Sequence, residues 1–225
     1  MNTNVKASAT KGVARHRGRP KLVSDEAQRS LIAESARQLF VEKGYGRTTT
    51  DEVAAHCRIS KQTLYRLFPG KPALFTAVVE AHRYSMLALP GDYDAVPVEQ
   101  GLQQIFRIDL DPQAERDNLA LLRLVMLESQ QYPELEELLF RYGADQAQTD
   151  LSKWLKARLG KEGIVLDDAD SVAHILMDMI FGPMVLKLDV AVPRRKPELR
   201  KVHIRRCISI FLHGVATKKD GRSHR

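Results

Sequence analysis

Residues 49–68 contain the feature that constrains the fold most, namely two very short helices separated by a turn of three residues. Thr49 followed by Glu52 has the spacing of a capping box, which marks a helix start. Ser60 is a favourable N-cap for the second helix, which ends before a Pro-Gly pair. Isolated helices of about two turns are marginal in water. Both helices must therefore pack against a third one.

The preceding segment supplies that third helix. Ser24 is a favourable N-cap, and Asp25 and Glu26 follow where the helix dipole stabilises acids. Gly44 predicts the end of the helix. One apolar stripe runs between these limits, formed by Leu31, Ile32, Ser35, Ala36, Leu39 and Phe40. Three small helices of this kind form a helix-turn-helix unit, although an ordinary three-helix corner of an α-helical domain would have the same pattern.

The outward face of the helix that follows Ser60 separates these two interpretations. Its inner face carries Leu64, Leu67 and Phe68. The residues left outward are Lys61, Gln62, Thr63, Tyr65 and Arg66. This face has no acid, and its side chains match base edges and phosphates, because Gln pairs with adenine, Thr contacts the thymine methyl group, and Lys or Arg binds guanine or phosphate. The pattern favours DNA binding.

The remainder of the chain also has helical periodicity. A fourth helix begins near Pro72 and ends before the stretch "LPGDYDAVP". Further helical segments follow, separated by loops with Pro, Gly or Asp, and the sequence contains no run of alternating β-branched residues and no internal repeat. We therefore predict an all-α fold, in which an N-terminal three-helix DNA-binding domain precedes a second helical domain.

Charge is distributed unevenly along the 225 residues, whose formal net charge is +7. Residues 1–23 hold six bases and no acid, and residues 194–225 hold eleven bases and two acids. Residues 72–193 hold twenty acids and ten bases. Basic ends on an acidic body suggest that a polyanion binds the ends rather than the whole surface.

Cysteine usage and hydropathy argue against a secreted or membrane protein. Cys57 and Cys207 lie far apart and form no CxxC pair, which favours free thiols in a reducing, cytoplasmic location. The basic start lacks the apolar region of a secretory signal, and the most apolar segment, residues 174–192, is interrupted by charges and a proline. We therefore expect no membrane partner.

The sequence also lacks the motifs of the common enzyme classes. It has no Gly-rich phosphate loop, nucleophile elbow, HExxH motif or paired-cysteine motif, so we expect neither an enzyme nor a cofactor. Asp170, His174 and Asp178 recur every four residues, a spacing that could hold a metal ion. No second ligand cluster accompanies them, so we favour a solvated or interface polar stripe and predict no metal site.

The N-terminal segment "RHRGRPKL" is a short basic stretch that cannot pack into a core. Its bases alternate with other residues at Arg15, Arg17, Arg19 and Lys21. Its Arg-Gly-Arg-Pro centre is similar to an AT-hook, which lies in the narrow minor groove of A·T-rich DNA. There Gly18 would allow close approach to the DNA. The alternative is a non-specific basic tail that only adds affinity for phosphate.

The stretches "LIAESARQLFVEKGYGRTTT" and "RTTTDEVAAHCRISKQTLYRLFPGKPALF" resemble the DNA-binding domain of TetR/AcrR-type transcriptional regulators over about residues 27–80. The combination is specific to that family. The resemblance implies phosphate contacts by Thr50, Tyr65 and Lys71. It implies that the major groove is faced by Lys61, Gln62, Thr63 and Arg66. Asp51 departs from members that have a base-contacting cation there, and it would either cap the second helix, which we favour, or accept a hydrogen bond from a cytosine amino group.

The same resemblance implies a double-stranded DNA operator, a homodimer and an unknown small-molecule effector, with repression as the common mode. It divides the chain into an arm (1–23), a helix-turn-helix domain (24–71), a ligand-binding and dimerisation domain (72–217) and a disordered tail (218–225). The effector would contact some of Phe106, Leu122, Met126, Trp154, Met177 and Phe181, which could equally be core residues. The dimer would form through helices near 167–190 and 197–216, with Ile175, Met179, Ile204, Ile208 and Phe211.

Overall fold

A computed structural model of the chain describes residues 24–185 and 197–216. These residues form ten α-helices, one π-helical turn and no strand, in agreement with the predicted all-α class. The elements are α1 (Asp25–Lys43), α2 (Thr50–His56), α3 (Lys61–Leu67), α4 (Lys71–Met86), α5 (Val98–Ile105), α6 (Pro112–Glu128), α7 (Glu134–Leu139), the π-helical turn (Phe140–Ala144), α8 (Asp145–Lys161), α9 (Ala169–Val185) and α10 (Pro197–Ala216).

The three predicted helix starts of the helix-turn-helix unit are confirmed. The Ser24 hydroxyl accepts a hydrogen bond from the backbone of Ala27, and the Ser60 hydroxyl accepts one from the backbone of Thr63. Thr49 and Glu52 form both hydrogen bonds of a capping box at the start of α2. These local bonds satisfy backbone N–H groups that have no partner within the helix.

Two hydrophobic cores lie along the described part of the chain. The first joins α1, α2, α3 and the first half of α4 to α6 and α7, through residues such as Phe40, Phe75 and Leu121. The second joins α5, α8, α9 and α10, with Leu87 just after α4. The helix α4 begins at Lys71 and runs from the first core to the second, and the first core includes α6 and α7 as well as the helix-turn-helix unit.

Two buried polar residues, His82 and Arg83, lie on α4 between the residues of the two cores. Arg83 donates to Asp150 of α8 at 2.5 Å, and Ser85 donates to Asn118 of α6 at 2.6 Å. His82 is 6% exposed, and its Nδ1 atom has no hydrogen-bond partner. Burial, assisted by the charge of Arg37, lowers the pKa of His82 to about 4, so the ring is neutral at pH 7.

A π-helical turn connects α7 to α8 without a break in the helix. Its Gly143 is buried against α4, where a Cβ atom would lie 3.4 Å from Cγ1 of Val79. A Cβ atom at this position would therefore make an ordinary van der Waals contact with α4.

Three predicted segments fall wholly or partly outside the described residues. These are the basic arm, the C-terminal tail and the part of the predicted helix 167–190 that follows Val185. Within the described ranges, no helix combines the length and the apolar character needed to cross a bilayer.

Candidate nucleic-acid interface

The α3 helix presents one polar face to solvent. Leu64 and Leu67 are buried against the first core, which fixes the rotation of the helix. Lys61, Gln62 and Arg66 are consequently exposed, as predicted from the spacing. Tyr65 is half exposed and Thr63 is partly exposed.

A hydrogen bond between side chains joins this face to the start of α2. The hydroxyl groups of Thr50 and Tyr65 are 2.9 Å apart. Two of the three residues predicted to contact phosphate are therefore neighbours on one surface, although the chain separates them by fifteen positions. A phosphate oxygen could accept from either hydroxyl group.

Asp51 is not the cap of α2, so our preferred interpretation of this residue is wrong. The capping position is occupied by Thr49, whose hydroxyl accepts from the backbone of Glu52. The Asp51 carboxylate instead accepts a hydrogen bond of 2.6 Å from Nζ of Lys61. This contact raises the pKa of Lys61, which stays protonated.

Arg66 forms a bidentate ion pair with the first residue of α1. Its two terminal nitrogens each donate to the Asp25 carboxylate at 3.0 Å, so the guanidinium group is oriented toward the start of α1. A bidentate pair of this geometry fixes a side chain more firmly than a single contact does. Asp25 was predicted only as a helix-dipole acid, because sequence spacing contains no signal for a contact across 41 positions.

Lys71 lies beside the loop between α1 and α2. Its Nζ atom is 4.2 Å from the centre of the Tyr45 ring and donates to the Gly46 carbonyl at 3.3 Å. Burial lowers the pKa of Lys71, and the charges of Glu128, Glu134 and Glu52 oppose that shift. The amine is therefore partly enclosed at the edge of the helix-turn-helix unit.

A contact between α6 and the same loop was not predicted. Oε2 of Glu128 accepts from the backbone nitrogen of Gly46 at 2.9 Å. A Cβ atom on Gly46 would lie 2.4 Å from the hydroxyl oxygen of Tyr132, and one on Gly44, where φ is +91°, would lie 2.3 Å from Oε1 of Glu128. We name these four residues the α6 junction. The paired glycines were its only signal in the sequence, since Glu128 is 82 positions away from Gly46.

The residues predicted to contact an effector do not all lie together. The rings of Phe106 and Phe181 are 5.7 Å apart in the second core, and Met177 and Trp154 pack on that core. Leu122 is partly exposed on α6, and Met126 is 48% exposed. Met126 is thus a surface residue and not part of that core, because the inner face of α6 is formed by Leu121, Leu124 and Val125.

Three of the five residues predicted for the dimer interface are buried inside the chain. These are Ile204, Ile208 and Phe211, which pack in the second core and offer no surface to another copy. The helical period was correct, but the face that carries these residues turns toward the chain's own helices. Ile175 is 52% exposed and Met179 is partly exposed.

The polar stripe on α9 forms no metal site among the described residues. His174 contacts Asp178 at 3.3 Å and is also within hydrogen-bond distance of Gln148 on α8. These residues belong to a solvated stripe. The predicted minor-groove residues Arg15, Arg17, Gly18, Arg19 and Lys21 lie outside the described part of the chain.

Comparison with solved structures supports the same architecture. A TetR transcriptional regulator from Agrobacterium tumefaciens has a TM-score of 0.64 and 20% identity, covering 84% of this chain and 97% of that one. A TetR-family regulator from Mesorhizobium loti has a TM-score of 0.62 and 24% identity, covering 85% and 98%. The flavonoid-responsive regulator FrrA has a TM-score of 0.61 and 25% identity, covering 83% and 96%.

Curated relatives match over a short part of the chain. The HTH-type transcriptional regulator YuxN of Bacillus subtilis (strain 168) is 45% identical over 49 residues, which are 22% of this chain and 17% of YuxN. YvkB of the same organism is 41% identical over 51 residues, 23% of this chain and 27% of YvkB. The chain therefore spans less than a third of the length of these relatives.

Family models cover both parts of the chain. The model described as "Bacterial regulatory proteins, tetR family" matches residues 32–78. The model described as "AefR-like transcriptional repressor, C-terminal domain" matches residues 100–214. The first range includes the whole helix-turn-helix face described above, and the second includes α6 to α9 and most of α10. The chain belongs to the tetR family of bacterial DNA-binding transcriptional regulators.

Proposed function

We propose that the protein is a homodimeric cytoplasmic repressor that binds a palindromic operator and is released from it by a small-molecule effector. The observation that carries this proposal is the α6 junction, in which Glu128 of the effector-binding part bonds to Gly46 beside the DNA-binding face. Two distinct parts joined by a specific contact are what allosteric release requires. The match to an AefR-like repressor domain supports repression.

Operator binding would use the polar α3 face and the start of α2. Gln62 and Lys61 are exposed and suited to base edges, whereas Thr50 and Tyr65 form a hydroxyl pair suited to phosphate. Arg66 would assist only after its bond to Asp25 opens. Two copies related by a twofold axis would place their α3 helices in successive major grooves, about 34 Å apart.

Dimerisation would use the exposed apolar residues of α9 and α10. On α10 the exposed apolar residues are Leu199, Val202 and Ile210, and on α9 Ile175 is exposed. Leu199, Val202 and Ile210 follow each other at helical spacing and form one stripe with Arg206 between them. An apolar stripe on a surface helix supports an interface with a second copy of the same stripe.

The effector we propose is a planar aromatic compound that enters the second core. Phe106 and Phe181 lie in contact there, and the ring of Trp154 is 6.3 Å from that of Tyr93. Offset aromatic contacts would bind such a compound among these rings. FrrA, to which the chain is 25% identical, is flavonoid-responsive by its name, which supports this ligand class.

Coupling would pass through α6 as well as α4. Asn118 in the middle of α6 bonds to Ser85 of α4, and Glu128 at the end of α6 bonds to the α1–α2 loop. A shift of α6 caused by a bound effector would therefore act on the DNA-binding unit directly. The effector and the operator would then oppose each other with a coupling free energy of about 1–3 kcal/mol.

Selection of genomic fragments by the purified protein, followed by competition with candidate effectors, tests the proposal. We expect one palindromic class of fragment and a flavonoid-type compound that releases it. Trp154 is the only tryptophan of the chain, so its fluorescence reports binding in the second core. A compound that quenches Trp154 without changing operator affinity would contradict the coupling, and fragments without a palindrome would contradict the dimeric operator.

A further inference from the structure

Lys61 and Asp51 form an exposed pair of opposite charges at the DNA-binding face. Lys61 is the first residue of α3 and Asp51 lies in the first turn of α2. The side chains are 66% and 51% exposed, and their Nζ and Oδ2 atoms are 2.6 Å apart. Thr50 and Tyr65, one residue and one turn away, hold the same two helix ends together.

Stability explains this pair only in small part, although the helix dipole favours an acid in the first turn of α2. An exposed ion pair contributes little to stability, because water screens the charges and both side chains lose freedom. A carboxylate on this surface also repels phosphate and therefore lowers the general affinity for DNA. What the Asp51 carboxylate can accept from DNA is the further role that its position allows.

The major-groove edge of a G·C pair complements the two side chains. Guanine presents the acceptors N7 and O6, and cytosine presents its N4 amino group as a donor. O6 and N4 are joined by the base-pairing hydrogen bond, so they are about 2.9 Å apart. Lys61 and Asp51 offer a donor and an acceptor at 2.6 Å, a spacing that matches the base edge.

The other base pair fits the same side chains poorly. In an A·T pair, a carboxylate that accepts from adenine N6 would also face the acceptor N7. The ammonium group would then approach thymine O4 beside the C5 methyl group, and it would have only one acceptor. A reversed C·G pair brings the carboxylate to guanine O6, where two acceptors oppose each other.

We propose that Lys61 and Asp51 together recognise one G·C pair in each half of the operator. Lys61 donates to guanine O6 and N7, and Asp51 accepts from the N4 amino group of the paired cytosine. Arg66 does not compete for this base, because its guanidinium group is bound by Asp25. The inference rests on the proposed operator function. It specifies which base pair is recognised and which side chain bonds to each base.

The test measures operator affinity for base substitutions crossed with side-chain substitutions. Every G·C pair of the selected half-site is changed in turn to A·T and to C·G, and each DNA is titrated with wild-type protein, Asp51→Asn and Lys61→Met. At one position we expect wild-type affinity to fall about tenfold or more on either change. Asp51→Asn should remove most of the penalty for C·G, and 7-deazaguanine should weaken wild-type protein but not Lys61→Met.

Glu26→Gln is the matched control, since it removes an exposed acid from the first turn of α1 and leaves the Lys61–Asp51 and Arg66–Asp25 pairs in place. It should leave the base preference at that position unchanged. If Asp51→Asn changes affinity equally for all sequences, the Asp51 charge only lowers the non-specific affinity for DNA, and the inference is wrong. Specific binding without any coupled G·C position would also overturn it while leaving the operator function intact. Wild-type protein that prefers no sequence would contradict both.

Discussion

The Glu128 carboxylate accepts a hydrogen bond of 2.9 Å from the backbone of Gly46, which ties the end of α6 to the loop before α2. Tyr132 packs beside this bond, with its ring 5.4 Å from that of Tyr45. The side chains of one part of the chain thus surround two glycines of the other. A methyl group at either glycine would require the neighbouring Glu128 or Tyr132 side chain to move.

Gly46→Ala should weaken the contact between the α1–α2 loop and the end of α6. Its Cβ atom would lie 2.4 Å from the Tyr132 hydroxyl oxygen, so the loop or the tyrosine must move. We expect a loss of about 1–3 kcal/mol in the free energy of unfolding and a weaker response of operator affinity to effector. Urea unfolding and DNA titration with and without effector measure both effects. Tyr132→Ala in the same chain should restore stability in part, and a Gly46→Ala protein that behaves as wild type would contradict the junction.

His82 should make stability depend on pH. Its pKa is about 4 in the folded chain and about 6.5 when unfolded, so the unfolded state binds the proton first as pH falls. The free energy of unfolding is therefore unaffected by this titration above pH 6.5. It falls by about 3 kcal/mol in total as the pH declines toward 4. Urea unfolding of wild type and His82→Gln at several pH values isolates this residue. Equal pH dependence in the two proteins would show that His82 does not titrate in this way.

Tyr65 and Gln62 should affect DNA binding differently. Tyr65→Phe removes a hydroxyl group that bonds to Thr50 and is suited to phosphate, so affinity should fall by a similar factor for every sequence. Gln62→Ala removes an exposed amide suited to a base edge, so sequence preference should change. Titration of both variants against the operator and its point mutants distinguishes these effects. A Tyr65→Phe protein with altered base preference would assign the tyrosine to a base instead.

The basic arm should add affinity only beside A·T-rich DNA. The double variant Arg17→Ala/Arg19→Ala should weaken binding to an operator with A·T-rich flanks more than to one with G·C-rich flanks, because the narrow groove attracts arginine. Lys6→Ala/Lys11→Ala removes the same charge from the same segment and serves as the control. If both variants lose affinity equally on both flanks, the segment is a general phosphate-binding tail.

A charge on the α10 stripe should prevent dimerisation. Ile210 is 57% exposed, and Ile210→Glu would bring two carboxylates into the proposed interface. Sedimentation should then show monomers at concentrations where wild type is dimeric, with the helical circular dichroism retained. Leu127→Glu changes an apolar residue that is 82% exposed on α6 and should leave the dimer intact. Dimers of Ile210→Glu would place the interface elsewhere.

Local features of this chain were predictable from sequence, whereas contacts between distant segments were not. The caps at Ser24, Thr49 and Ser60 depend on neighbours within three residues, so the spacing sufficed. The pairs of Arg66 with Asp25 and of Glu128 with Gly46 depend on how helices pack, and no local pattern contains that information. For Ile204 and Ile208, periodicity identified an apolar face but not which surface covers it.

The π-helical turn at Phe140–Ala144 sets the rotational phase between two halves of one continuous helix. Leu135 lies in the first core before this turn, and Leu151 lies in the second core after it. Each residue of an α-helix advances the rotation by about 100°, so removal of a single residue here would turn α7 by that angle relative to α8. Leu135 and Leu151 could then no longer both point inward. The length of the π-helical turn therefore keeps the apolar faces of α7 and α8 directed toward their respective cores.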